Sequence, residues 1–198
     1  EKKEKKEKKD KDGSSDDDEA ALDQGTEDLK FDDEETKNVI NNVKESMAGA
    51  SGKLSVDDFF EAVRFQQIAK LFDHRVRLYV ALEALMEGNM DAKAVNDKKR
   101  YINRCISQAS MSPPDVLWAF NTFLHANPGS AKGFAMVLKV VYDEDWADEQ
   151  SILRFYQNDE DAGEPGFEEA KKAAGPFLTW LENAASDDDD DDSDSDSD

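Results

Sequence analysis

The sequence predicts an all-α domain of stacked antiparallel helix pairs, and three observations predict it. From about Glu34 to Ala185 the larger apolar residues recur at i, i+3 and i+4 spacing. The few glycines and prolines sit between the periodic segments, where they end helices or open the next one. Nowhere does a stretch alternate apolar and polar residues as a half-buried strand would.

The helices follow in order. Val39, Ile40, Val43 and Met47 mark the first, which Gly49 and Gly52 end. Ser55 with Asp58 three residues on has the form of a capping box, and Phe59, Phe60, Val63 and Ile68 follow as an apolar stripe. Asp73 caps a third helix with Val76, Tyr79, Val80, Leu82, Leu85 and Met86, stopped by Gly88-Asn89. A fourth, near 91–109, carries Val95, Tyr101, Ile102, Cys105 and Ile106. Ser112 before Pro113 is a cap followed by proline in the first turn. Behind it run Val116, Leu117, Phe120, Phe123 and Leu124, to a stop at Asn127-Pro128-Gly129. Phe134, Val137, Leu138, Val141 and Tyr142 form the next. Asp148 caps a short helix with Ile152, Leu153 and Tyr156, and the last carries Phe167, Phe177, Leu178, Trp180 and Leu181. Spacing leaves an irregular bundle and a HEAT-like stack both open, since no sequence period marks a repeat.

Charged tails flank this domain, which spans 34–185. Residues 1–33 read as a disordered charged linker, with Leu22, Leu29 and Phe31 as their only larger apolar residues. Residues 1–12, EKKEKKEKKDKD, have no apolar group to bury and could make a weak electrostatic contact with RNA or a ribosome. A chain opening there, without methionine, reads as cut from a longer protein. Residues 186–198 read as a disordered acidic tail, and serines among its aspartates suit an acidophilic kinase.

Composition narrows the function. The net charge of the 198 residues is -22, which repels phosphate and favours basic protein partners over direct DNA binding. No apolar run is long enough for a membrane span. The single cysteine, Cys105, makes neither an internal disulfide nor a zinc site, and a reducing compartment fits. The charge is uneven: residues 46–142 carry a net +3, residues 143–186 a net -9 and residues 187–198 a net -9.

Catalytic signals are sparse. The two histidines are His74, beside a helix cap, and His125, placed to meet last-turn carbonyls. Cys105 lies on an apolar stripe, the commoner setting of a small buried thiol. There is no glycine-rich phosphate loop and no HExxH, and the aspartates follow no calcium-loop spacing. No cofactor or metal is expected.

The acidic C-terminal third is the informative part. Residues 141–156 combine Tyr142, Trp146, Phe155 and Tyr156 with Asp143, Glu144, Asp145, Asp148 and Glu149. Residues 168–185 combine Glu168, Glu169 and Glu182 with Phe177 and Trp180, followed by the aspartates. Large aromatics at helical spacing normally pack inside. Five crowded carboxylates exceed what solubility needs, and a focused negative patch attracts a basic ligand. The expected partner-binding residues are therefore those acids with Trp146 and Trp180, an exposed edge of Trp146 serving as an apolar anchor. Lys98, Lys99, Arg100 and Arg104 are either a second face, for an acidic partner or RNA, or a solvated helix face.

These boxes resemble the acidic-aromatic boxes of the two-tryptophan domain that ends eukaryotic translation initiation factor 5. The same domain ends the epsilon subunit of the guanine-nucleotide exchange factor for initiation factor 2 and occurs in related mimic regulators. The first match is Tyr142-Asp143-Glu144-Asp145 followed by Ile152-Leu153; the second is Lys172-Ala173-Ala174-Gly175-Pro176-Phe177 with Trp180-Leu181 and Ala184. Phe155 stands where the family's first box has tryptophan.

The resemblance implies an atypical HEAT-like stack that assembles the cytoplasmic translation preinitiation complex. Its acidic boxes would bind lysine-rich segments of the beta subunit of GTP-binding initiation factor 2. Other faces would meet the c subunit of initiation factor 3 and initiation factor 1. It would not be an enzyme, because the GTPase-activating function of factor 5 resides in a separate N-terminal domain not found in this chain. The lysine-rich run at residues 2–11 is similar to the linker of factor 5. Two alternatives remain: the exchange-factor epsilon end, which would stimulate nucleotide release, and an acidic histone-binding or RNA-mimicking domain.

Overall fold

A computed structural model describes residues 33–49, 54–158 and 161–188, with side chains described up to residue 184. The linker and tail expectations for residues 1–32 and 189–198 lie outside the described residues. Eight α-helices and one 3₁₀ segment make up the described part: α1 Glu34–Gly49, α2 Val56–Lys70, α3 His74–Met86, α4 Ala92–Gln108, α5 Pro113–Ala126, the 3₁₀ turn Pro128–Gly133, α6 Phe134–Asp143, α7 Glu149–Gln157 and α8 Phe167–Asp188.

The caps form where the residues indicate. Ser55 accepts from the Asp58 backbone N–H at 3.1 Å while its hydroxyl donates to the Asp58 carboxylate at 2.7 Å. Asp73, Asp91 and Asp148 accept from Val76, Ala94 and Ser151 at 2.8, 2.7 and 2.8 Å. Such caps each contribute ~1 kcal/mol, since they satisfy otherwise orphaned helix donors. Beyond Met86, α3 stops through the left-handed Glu87 (φ 50°) and Gly88 (φ 82°).

The helices stack in two layers. α1, α3 and α5 pack side by side in one, α2, α4 and α6 in the other, and α7 and α8 close the C-terminal end against α5 and α6. Within the first pair the chain reverses, so that Glu35 at the start of α1 meets Lys70 at the end of α2 at 2.7 Å. Arg77, early in α3, reaches the Cys105 carbonyl late in α4 at 2.9 Å. This is the HEAT-like, all-α arrangement, and one continuous core runs through it from Val39 to Leu181.

Four local details differ from the sequence-based expectation. The Asn127 stop leads into the 3₁₀ turn, which is too short to show periodicity. α8 passes through Pro176 without a break and continues to Asp188, past the 185/186 boundary. Ile68 is 48% exposed, because Gln67 takes the inward position on that turn of α2. The ring of His125 meets the Glu169 carboxylate, with Nδ1–Oε1 at 3.2 Å, in addition to any interaction with its own helix end.

Candidate functional site

The first acidic box is shaped by the way α6 ends. Asp145 adopts a left-handed conformation (φ 57°), and its N–H reaches the Tyr142 carbonyl at 3.1 Å. The N–H of Trp146 reaches back to the Val141 carbonyl at 3.0 Å. These two bonds make a Schellman turn, with aspartate where glycine is commonest. The turn reverses the chain so that Trp146 points into the core while Asp143 and Asp145 stay in solvent.

Trp146 is only 5% exposed. Its indole stacks on Phe120 at 6.2 Å, and its Nε1–H donates to the Asn103 side-chain oxygen at 3.3 Å. The expected exposed edge is therefore absent, and Trp146 anchors the box from inside. Phe155 is also buried, edge-on to Tyr156 at 5.1 Å and tilted against Phe167 at 5.7 Å.

The five acids are not equivalent. Lys139 donates to both oxygens of Asp143, at 2.8 and 2.7 Å. Lys99 donates to Glu144 at 2.6 Å, tying α4 to the box. Asp148 caps α7, Glu149 lies in that helix's first turn, and Asp145 is exposed.

The second box meets the first through its aromatics. Trp180 is 48% exposed and stacks on the buried Phe177 at 5.6 Å. Both rings contact Tyr142, at 6.3 Å for Phe177 and 6.2 Å for Trp180. An exposed indole thus stands beside the residue that precedes Asp143. Glu182, two residues beyond Trp180, accepts from Gln157 Nε2 at 3.1 Å. Glu168 and Glu169 lie in the first turn of α8, about 20 Å from Glu182 by helical rise. Box two is therefore two separate acidic places, and only the Trp180–Glu182 part adjoins box one.

The basic candidates on α4 are largely engaged. Lys98 lies over the Tyr101 ring at 5.9 Å. Lys99 holds Glu144, and Arg104 pairs with Asp57 at 2.9 Å while covering Phe60 at 4.6 Å. Arg100 is exposed. The four do not form one open basic face.

Several polar groups inside the fold went unsignalled. Trp118 donates to Glu164 at 2.7 Å, under the Arg75 guanidinium at 5.1 Å, fixing the approach to α8. Arg77 is fully buried and donates to Gln67 at 3.1 Å as well as to Cys105. Its only sequence signal is a lone charge in an otherwise apolar stretch of α3. Burial pushes the Cys105 thiol up to about 12, a setting for an inert thiol. Among the described residues, no three His, Cys, Asp or Glu side chains are grouped as a metal site. Nor is any described helix long and apolar enough to cross a membrane.

The described residues thus form a two-layer helical stack with an acidic-aromatic seam at its C-terminal end. Residues 114–191 match the family model described as "W2: eIF4-gamma/eIF5/eIF2-epsilon", so the C-terminal part of the chain is similar to a W2 domain. Similar curated proteins are eukaryotic translation initiation factor 5 of Phaseolus vulgaris, 31% identical over 56% of this chain, and that of Zea mays, 39% identical over 31%. A probable eukaryotic translation initiation factor 5-2 of Arabidopsis thaliana is 28% identical over 76%. The matched segments span 25%, 13% and 34% of those proteins, respectively. These matches liken the domain to one found in translation initiation factors.

Proposed function

We propose that this domain is an adaptor of the factor 5 type. Its seam of Tyr142, Trp180, Asp143, Glu144, Asp145 and Glu182 binds lysine-rich segments of the beta subunit of initiation factor 2. Supporting this is the exposed Trp180 ring beside the first acidic box, which offers a cation–π face among carboxylates. An exposed ion pair contributes only ~0.2–1 kcal/mol, so useful affinity needs many pairs or an aromatic anchor. Asp148, Glu149, Glu168 and Glu169 extend the negative surface. The c subunit of initiation factor 3 and initiation factor 1 would occupy other faces, and assembly would take place in the cytoplasm.

The indole also provides the test. Trp180 fluorescence should change saturably on adding a lysine-rich peptide of the beta subunit, and Trp180→Ala should remove that change while Trp146 still reports a folded core. An unchanged response in Trp180→Ala would reject the seam as the binding place. The exchange-factor epsilon end is the second possibility, because the matching family description names it beside factor 5. Stimulated GDP release from isolated initiation factor 2 would favour it; no stimulation favours the adaptor.

A further inference from the structure

Two carboxylates of the first box already hold lysines, and both lysines belong to this chain. Lys139 donates to both oxygens of Asp143, at 2.8 and 2.7 Å, from one turn earlier on α6. Lys99 donates to Glu144 at 2.6 Å from α4, 45 residues away in sequence. Each is an ammonium group set on a box carboxylate, as a lysine of a basic partner segment would be. Among the described residues no lysine is set on Asp145 or on the Trp180 ring, and both are exposed. The seam is thus half occupied by its own chain and half open.

The occupied half is built to exchange. The Lys139 and Asp143 side chains are 40% and 48% exposed, and those of Lys99 and Glu144 are 45% and 27% exposed. Water reaches both ends of each pair, so each is weak, and a lysine that is released regains rotamer freedom. Replacing an internal ammonium by an incoming one leaves the carboxylate with the same kind of bond. The open half gives the incoming chain its first hold. Once one of its lysines lies on Asp145 or over Trp180, the next ones face Asp143 and Glu144 at a high effective concentration.

We infer, on the binding seam proposed above, that Lys99 and Lys139 are internal competitors for that seam. In the free domain they fill the lysine places on Glu144 and Asp143. A segment with several lysines displaces them, and its affinity is lowered by the two bonds it has to replace.

Titration of the full chain with octalysine tests this. Binding is read at the Trp180 indole N–H resonance, so lysine held by the aspartates beyond residue 186 is not counted. Lys99→Gln and Lys139→Gln keep most of each apolar stem, and each should bind roughly 1.5- to 5-fold tighter, the range that one exposed pair spans. Lys132→Gln and Lys172→Gln remove the same charge from exposed lysines that bond to neither acid, and should change binding less. The gain from Lys99→Gln should also vanish in a Glu144→Gln background, where no carboxylate is left to compete for. An equal gain in all four single variants would reduce the effect to net charge and overturn the competition, as would no gain at Lys99 and Lys139. A Trp180 resonance that does not respond to octalysine in the unsubstituted chain would reject the seam itself, and the competition with it.

Discussion

The indole of Trp180 stands edge-on to the phenol of Tyr142, with ring centroids 6.2 Å apart and planes at 75°. This contact sets α8 beside the end of α6, where the buried Phe177 also meets Tyr142, and brings the two acidic-aromatic boxes side by side. The second tryptophan of the boxes does something different, because Trp146 is sealed under the α6 turn. The two should separate by mutation. Trp180→Ala should weaken binding of a lysine-rich peptide and leave the urea transition nearly in place. Trp146→Ala should cost ~3–5 kcal/mol, as truncation of a buried large aromatic does. Urea unfolding and peptide titration of both variants check this.

Asp145 separates charge from backbone. Its left-handed conformation (φ 57°) is one that glycine adopts without a Cβ clash. Asp145→Gly should therefore keep or raise stability, by up to ~1 kcal/mol, while removing one carboxylate from the seam. Asp145→Val should destabilise. Reversal of Asp143, Glu144 and Asp145 to lysine together should abolish peptide binding yet leave a cooperative thermal transition. The transition should be somewhat lower, because the Lys99–Glu144 bond is lost and lysine is strained at position 145. A melted fold would mean that these acids are structural.

Asp148 has a capping bond to the Ser151 N–H at 2.8 Å. Asp148→Ala should lower stability by ~1 kcal/mol. Asp148→Asn keeps an acceptor oxygen and should fold almost as well. Weaker peptide binding by Asp148→Asn at unchanged stability would then report the charge alone, in calorimetry set beside thermal melts.

Glu83 predicts a pH dependence. Burial raises its carboxyl above the ordinary range, although it accepts from Asn127 Nδ2 at 2.6 Å. The folded state thus holds this proton at a pH where the unfolded chain has released it. Stability from this group is greatest below the ordinary carboxyl range and falls as pH rises through the raised folded value. Glu83→Gln keeps an acceptor for Asn127 and should flatten that fall. Denaturant melts of both proteins between mildly acidic and neutral pH measure the difference.

Gly166 admits no side chain. Its φ is +76°, and an added Cβ would sit 2.1 Å from the Asn121 carbonyl oxygen. Gly166→Ala should push α8 off α5, cost more than ~1–2 kcal/mol and loosen the aromatic seam at the same time. Loss of peptide affinity together with a lowered thermal midpoint is the expected pair of results.

Helix existence and type were legible because capping signals and apolar periodicity agreed, as at Ser55-Asp58 and Ser112-Pro113. Which aromatics face water was not legible. Periodicity placed Trp146 and Trp180 alike near acids, and only the left-handed turn at Asp145 buries the first. Ile68 fitted an apolar stripe, yet Gln67 took the inward place to hold Arg77. Such exchanges depend on contacts between α2 and α3 that no local spacing encodes. The acids of both boxes were visible as composition, but the distance between Glu169 and Glu182 appears only once α8 forms through Pro176.

The most direct measurement is calorimetric titration of this chain with a lysine-rich peptide from the beta subunit of initiation factor 2, beside a scrambled peptide of equal charge. An adaptor seam binds the authentic peptide more tightly and loses it when Asp143, Glu144 and Asp145 are reversed to lysine. Equal binding of both peptides, or of neither, would contradict specific recognition by the seam.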